Sequence, residues 1–320
     1  MSSTPANPQH PATAHYWKPR HWPTWLGLGL LRLLILLPFA WQVRLGAFLG
    51  RCLYHLAPGR RRVAETNIRL CFPELDARAQ RKLVRRTFES SGISLLEIGL
   101  AWWGGDRKLA PLAHMEGLEH LQAALTQGKG VILLSAHFTC LEIGGRLLAR
   151  QQPFAVVYRK HNNPLFEAVT KHSRETHFQR AIPRTDTRGL VRALRDGLAC
   201  WYAPDQDFGR KKSVFVPFMG VQAATLPATS RLAKLSGAPI VPFFPLRLPG
   251  GAGYRLVIRP ALENFPGDDE LADAARINAL IEAQVREAPE QYLWLHRRFK
   301  TRPEGEEKVY APRKRRKRKS

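Results

Sequence analysis

This chain is poor in cysteine and in acidic residues, and it lacks the short motifs that announce most familiar chemistries. Its 320 residues hold four cysteines, Cys52, Cys71, Cys140 and Cys200, scattered without a CxxC pair or a histidine at zinc spacing. That usage excludes a disulfide framework and a structural zinc site, and it fits a reducing compartment. No GxSxG elbow, Walker loop, zinc-finger or homeodomain signature is present, so a nucleic-acid role would rest on charge alone. Asp207-Phe208-Gly209 spells a kinase magnesium motif. Neither an HRD loop nor a GxGxxG precedes it, and it is a coincidence. No internal repeat is visible. No small-x-small cleavage site follows the apolar N-terminal stretch, which argues against a cleaved signal peptide.

Acidic residues number 26 against 50 Lys and Arg, a formal charge of +24. Seven of those charges form the unbroken run Arg313 to Lys319, and the remainder still carries +17. An anionic partner follows: nucleic acid, an anionic membrane, a phosphorylated substrate or an acidic carrier protein. Residues 1–20 are rich in Pro, Ser, Ala and Thr and read as a disordered lead-in. Residues 22–41, WPTWLGLGLLRLLILLPFAW, are apolar, flanked by Trp and interrupted by Arg32. This is the composition of a membrane anchor, either a short spanning helix with Arg32 snorkelling or a helix lying in the interface. Basic residues on both sides leave its orientation open.

Helical spacing follows over 60–72 and again over 76–103, which closes on Trp102-Trp103-Gly104-Gly105. Beyond about residue 110, β and α patterns alternate, the mark of a mainly parallel sheet. Strands are expected at 131–134, 154–158, 199–203 and 240–244, with 254–259 as an antiparallel edge strand. Helices are expected at 164–178, 188–196, 225–235 and 268–287. The predicted fold class is α/β: a mainly parallel central sheet flanked by helices, with a membrane-associated helical region at the N-terminus. The organisation read from this is a helical region at 21–110, a catalytic α/β domain at 111–304 and a basic tail at 305–320.

The chain is organised around residues 130–145, GVILLSAHFTCLEIGG. Val131 to Leu134 is a continuous apolar run of strand length, and a helical pattern resumes at about Thr139. His137 falls at the break and Glu142 lies five residues on. Positions five apart on one regular helix diverge by about 140°. The two side chains can meet only if His137 precedes the helix and Glu142 lies in its first turns. A carboxylate-held His is a general base, whereas a satisfied His beside a solvated Glu would be inert, and spacing does not choose between them. Two other strand ends qualify as sites, Tyr158-Arg159 and Asp205-Gln206-Asp207, because open α/β sheets place chemistry there. Arg159 and Arg174 could clamp phosphate or stabilise an oxyanion. Asp205 and Asp207 suit a turn or an arginine pair better than a metal, since no further acidic ligands cluster near them.

With these residues assembled, the chain resembles the late acyltransferases of lipid A biosynthesis, of the lauroyl acyltransferase kind, which act on Kdo-modified lipid IVA. The resemblance runs from about Trp41 to Tyr310. It rests on NIRLCFPE (67–74), HFTCLE (137–142), YRKHNNP (158–164), WYAPDQDFGR (201–210) and PEQYLWLHRRFKTRP (289–303). It implies a fold like that of the glycerolipid acyltransferases and the transfer of a fatty acyl chain from acyl-acyl-carrier-protein to a hydroxyacyl chain of Kdo-lipid IVA. On that implication His137 removes the hydroxyl proton and Glu142 orients the imidazole. Arg174 contacts substrate phosphate or the oxyanion, Asp205 holds Arg174 or its neighbours, and Arg159 adds weakly. The family pattern Arg-Pro-His is Arg159-Lys160-His161 here, a local departure.

No cofactor or metal is implied. The implied partners are acyl-acyl-carrier-protein, Kdo-lipid IVA and the anionic inner membrane, with the catalytic domain on its cytoplasmic side and no nucleic acid. Two readings stand beside this one: acylation of a glycerol phosphate, glycolipid or ornithine lipid, and a non-enzymatic membrane-bound polyanion binder. Acyl chain length and the acylated position are not legible.

The terminal basic run lies outside the blocks that carry the resemblance. Removing residues 313–319 is expected to weaken binding to anionic vesicles while turnover persists. Abolished turnover in the truncated chain would contradict this.

Overall fold

The computed structural model describes residues 16–311, so most of the expected lead-in and the run at 313–319 lie outside the described residues. Within the rest of that lead-in, Trp17 stacks on Trp25 with ring centroids 5.3 Å apart, and the Tyr16 carbonyl accepts Trp25 Nε1 at 3.0 Å. The apolar stretch at 22–41 is two helices, α1 (Trp22–Leu34) and the start of α2 (Phe39–Leu56). Pro38 separates them because it supplies no N–H and its ring clashes with a preceding turn. Carbonyls left open at the elbow are answered by side chains: Gln42 Nε2 donates to Ile35 and Leu37 at 3.0 and 2.8 Å, and Lys108 donates to the same two carbonyls. Among the described residues, no helix is long and apolar enough to cross a membrane.

Two further helices, α3 (Pro58–Cys71) and α4 (Ala77–Trp103), complete the N-terminal layer. Asp76 caps α4 by accepting the Ala79 N–H at 2.7 Å. Helices α2 and α4 touch backbone to backbone, and a Cβ at Gly92 would collide with the Gly46 carbonyl and the Gly50 backbone.

The remaining chain runs α5 (Asp106–Leu109), β1 (Ala113–Glu116), α6 (Leu118–Leu125), β2 (Val131–Leu134), α7 (Leu141–Ala149), β3 (Phe154–Tyr158), α8 (Pro164–His177) and β4 (Arg180–Pro183). It continues with α9 (Thr187–Arg195), β5 (Ala199–Tyr202), β6 (Val214–Phe218), β7 (Val221–Thr225), α10 (Ala228–Ser236), β8 (Ile240–Arg247), β9 (Tyr254–Ile258) and α11 (Glu270–Glu287). Seven strands form one sheet in the order β1-β9-β8-β2-β5-β3-β4. The five from β8 to β4 are parallel, as expected for strands such as β2 whose four residues are wholly buried. Strand β9 is antiparallel to β8, yet it is not the edge, because β1 lies outside it in parallel register. The residues of β1, Ala-His-Met-Glu, alternate between half-buried and exposed and carry no run of apolar side chains, so the strand leaves no sequence signal. Strands β6 and β7 form a separate hairpin that turns at Met219 and Gly220, both at positive φ.

Strand β8 extends past its expected end at Phe244 to Arg247, and that extension ties the helical layer to the sheet. Arg247 donates to both oxygens of Glu97 on α4 at 2.5 and 2.6 Å and to Ser90 Oγ at 2.9 Å. Tyr254 on β9 donates to the same carboxylate at 2.6 Å. The whole cluster is buried. Arg247→Met would leave the Glu97 carboxylate without its charged partner, at an expected cost of about 3–5 kcal/mol. Adding Glu97→Leu should return much of the loss. Denaturation midpoints for parent, single and double variants test this, and a single variant as stable as the parent would count against it.

Candidate active site

Strands β2 and β5 lie side by side with Leu134 opposite Tyr202, and the Ser135 N–H donates to the Tyr202 carbonyl at 2.9 Å. His137 and Asp205 each come three residues past those last partners, so the register brings them together at the carboxyl edge of the sheet. Asp205 Oδ1 is 2.6 Å from His137 Nδ1, and Oδ2 accepts the His137 backbone N–H at 2.9 Å. With Nδ1–H donating to the carboxylate, the neutral ring keeps its lone pair on Nε2. The carboxylate is 2% exposed and the imidazole 26%, so the base is open on one side and its partner is sealed.

The loop that carries His137 is pinned by the C-terminal segment. The Leu293 N–H donates to the His137 carbonyl at 3.0 Å, and the Thr139 N–H to the Gln291 carbonyl at 2.7 Å. Gln291 in turn bonds the Arg247 backbone in both directions, and Thr139 Oγ1 meets Ser90 Oγ at 2.6 Å. The buried ion pair of the fold thus reaches the catalytic loop through two hydroxyls and an amide. Asp207 pins the next loop, accepting from the Thr301 N–H at 2.6 Å and hydroxyl at 2.9 Å, and is a structural residue.

The expected His137–Glu142 pair is replaced by another pairing. Glu142, in the first turn of α7, accepts from Trp102 Nε1 of α4 at 3.2 Å and from Arg174 Nη2 of α8 at 3.3 Å. The carboxylate on the imidazole is Asp205's, so Asp205 does not hold Arg174 either. The physical reason is strand order: β5 abuts β2, which puts Asp205 level with His137, whereas α7 turns Glu142 toward α4 and α8. Arg174 also lies over the Tyr158 ring, 5.2 Å from its centroid. His137, Glu142, Arg174 and Tyr158, with Arg159 at the exposed rim, border a cavity of about 250 Å³ whose inner wall is apolar, built from Phe154, Val156 and Phe178. The sequence reading missed Trp102 and Trp201. The Trp201 ring stands edge-on to His137 with centroids 6.2 Å apart.

Burial alone would push His137 toward its neutral form, but the Asp205 charge and hydrogen bond outweigh it and raise its pKa above the ordinary 6.5. Burial likewise opposes the Asp205 anion, and the imidazolium charge and hydrogen bonds override it, lowering that pKa to about 2. The Asp205 contribution to stability is in place above the ordinary carboxylate range and is lost as pH falls toward 2. The His137 contribution is in place below the ordinary imidazole value and is lost as pH rises through its elevated one. Cys140 offers no alternative nucleophile, because burial pushes its thiol up to about 12. Among the described residues, no three His, Cys, Asp or Glu side chains gather into a set able to hold a metal ion. The arrangement is a carboxylate-steered imidazole with the chemistry a general base needs, a guanidinium beside it and an apolar slot behind.

The model of bacterial lipid A biosynthesis acyltransferases matches residues 10–301 of this chain. The lipid A biosynthesis lauroyltransferase of Escherichia coli (strain K12) is 43% identical over 288 residues, covering 90% of this chain and 94% of that protein. The palmitoleoyltransferase of the same organism is 41% identical over 304 residues, covering 95% and 99%. Its myristoyltransferase is 32% identical over 296 residues, covering 91% of each.

Asp205→Asn removes the anion from the imidazolium and should lower the His137 pKa toward or below the ordinary value. Titration of the imidazole by NMR in parent and variant checks the sign. An unchanged or higher value would show that Asp205 does not set it.

Proposed function

We propose a reaction for a chain that belongs to the family of bacterial lipid A biosynthesis acyltransferases: transfer of a fatty acyl chain from acyl-acyl-carrier-protein to the 3-hydroxyl of an acyl chain on Kdo-lipid IVA. His137 Nε2 takes the hydroxyl proton, and the resulting alkoxide attacks the thioester carbonyl. The tetrahedral intermediate collapses, the carrier thiolate leaves, and the imidazolium returns a proton to it. Asp205 fixes the ring tautomer and stabilises the imidazolium, the part first assigned to Glu142. Arg174, held by Glu142 and Tyr158, is the group for substrate phosphate or the developing oxyanion. Arg159 at the rim is a second cation for the acceptor. The observation that carries this reading is the 2.6 Å contact from Asp205 to His137 Nδ1, beside a cavity with an apolar inner wall.

We place the protein at the cytoplasmic face of the inner membrane, and the support for membrane contact itself comes from α1 and its neighbours. Leu26, Leu30, Leu33 and Leu36 are 75, 54, 65 and 74% exposed, between the exposed Trp22 and Trp41. Helix α1 has 13 residues and is about 20 Å long at 1.5 Å per residue, short of a bilayer's hydrocarbon core. We therefore place it in the interface, with the excess positive charge drawing the protein to anionic lipid and to an acidic carrier. On this reading residues 21–110 form the membrane-proximal layer and 111–304 carry the chemistry, although Ser90 and Trp102 of α4 also serve the site.

His137→Ala should cut turnover about 100- to 10,000-fold in an assay with purified protein, a panel of acyl-carrier donors and tetraacylated acceptor, the products read by mass. Full turnover without the imidazole would sink the mechanism. The parent's rate should climb with pH through the raised His137 value, since the neutral ring is the base, and Asp205→Asn should move that limb to lower pH.

A further inference from the structure

A second opening lies on the far side of Trp102, outside the cavity that holds His137. It is a groove of about 420 Å³ between α1, the end of α4 and α8. Helix α1 turns the stripe Trp25, Leu28, Gly29, Arg32 toward it, and α8 answers with Val169, His172, Ser173, Thr176. Both sets follow the i, i+3, i+4, i+7 spacing of one helical face. Such facing stripes would ordinarily pack together, and here they leave a channel. Gly29 is part of the reason, since a Cβ at that position would meet no atom within 4 Å.

The groove adjoins the chemistry at two points. Trp102 is shared: it lines the groove and its Nε1 donates to Glu142. Ser173 of the groove precedes Arg174 of the site on α8. The one cation on the α1 wall, Arg32, lies over the Trp103 ring at 5.5 Å and meets a π-face rather than a carboxylate. On its other side α1 exposes Leu26, Leu30 and Leu33. The groove therefore lies under a helix whose outer face suits lipid, and it pairs apolar walls with a positive charge. An alkyl chain joined to an anionic headgroup has the complementary chemistry.

We propose that this groove seats one hydrocarbon chain of the anionic lipid acceptor, with Arg32 facing its headgroup. The proposal rests on the acyl-transfer reading above and adds a subsite to it. The acceptor is favoured over the donor because the cavity at His137 already has an apolar wall for the chain being transferred. The groove, moreover, lies beneath the helix that presents leucines to lipid.

The test is Gly29→Leu, which fills the channel from a position with room for the side chain and a residue better suited to a helix than glycine. With purified full-length protein, acyl-carrier donor and tetraacylated disaccharide acceptor in mixed micelles, the acceptor KM should rise about ten- to a hundredfold. Hydrolysis of the donor by water, measured without acceptor, should stay at the parent's rate, as should co-sedimentation with anionic vesicles. Val169→Trp, from the opposite wall, should reproduce the effect and covers the case in which Gly29→Leu does not fold. Arg32→Gln should raise KM for the phosphorylated acceptor more than for a dephosphorylated one. An unchanged acceptor KM in folded variants overturns the proposal. A shift in donor hydrolysis or donor chain-length preference overturns it too, because the donor would then occupy the groove. Donor hydrolysis by the parent without transfer to any lipid would instead remove the underlying reading.

Discussion

A carboxylate taken out of water costs several kcal/mol unless a charge and hydrogen bonds answer it, and this structure is arranged around two that are answered. Glu97, held by Arg247 and Tyr254, with Ser90 accepting from the same guanidinium, locks the N-terminal helices to the sheet. Asp205, held by the backbone and ring of His137, joins two adjacent strand ends into one site. The first governs the second. Thr139, two residues past the base, hangs on Ser90, and Gln291 couples the same loop to the Arg247 backbone. The proposed proton abstraction would require an imidazole that does not wander, and the buried ion pair holds the loop that carries it.

Four carboxylates near the catalytic edge have been given four different tasks by their surroundings. Asp205 is sealed and bonded to a ring, so it remains an anion and makes its neighbour basic. Glu142 is partly open and bonded to a guanidinium and an indole, so it aims Arg174 rather than the base. Asp207 is consumed by the Thr301 backbone and hydroxyl and only shapes a loop. Glu97 is a strut. Residue type alone would not have separated them; burial and partner do.

The sequence made some of this visible and hid the rest for definable reasons. Four consecutive apolar residues marked β2, and β3 fell at its expected residues, because strands buried on both faces have a strong composition signal. Strand β1 and the half-polar β4 gave none. His137, Glu142, Arg174, Asp205 and Arg159 were all legible as candidates, and the structure brings them to one cavity or its sealed wall. Their pairing was not legible. Counting five residues from His137 finds Glu142, but the partner of the imidazole depends on which strand abuts β2, and that order is set by crossovers distant in sequence. The apolar stretch at 22–41 reads as a single helix in the sequence, and the elbow at Pro38 that divides it is seen only in the structure. So is its capping by Gln42 and Lys108.

The length of α4 has a consequence for how this molecule can change. One rod of 27 residues presents glycine to α2, Ser90 and Glu97 to the strut, and an indole to Glu142. A fragment beginning after Trp103 would lose all three. The N-terminal layer and the candidate site therefore share one part: sliding that rod along its axis would displace the glycine contact, the strut and the indole together.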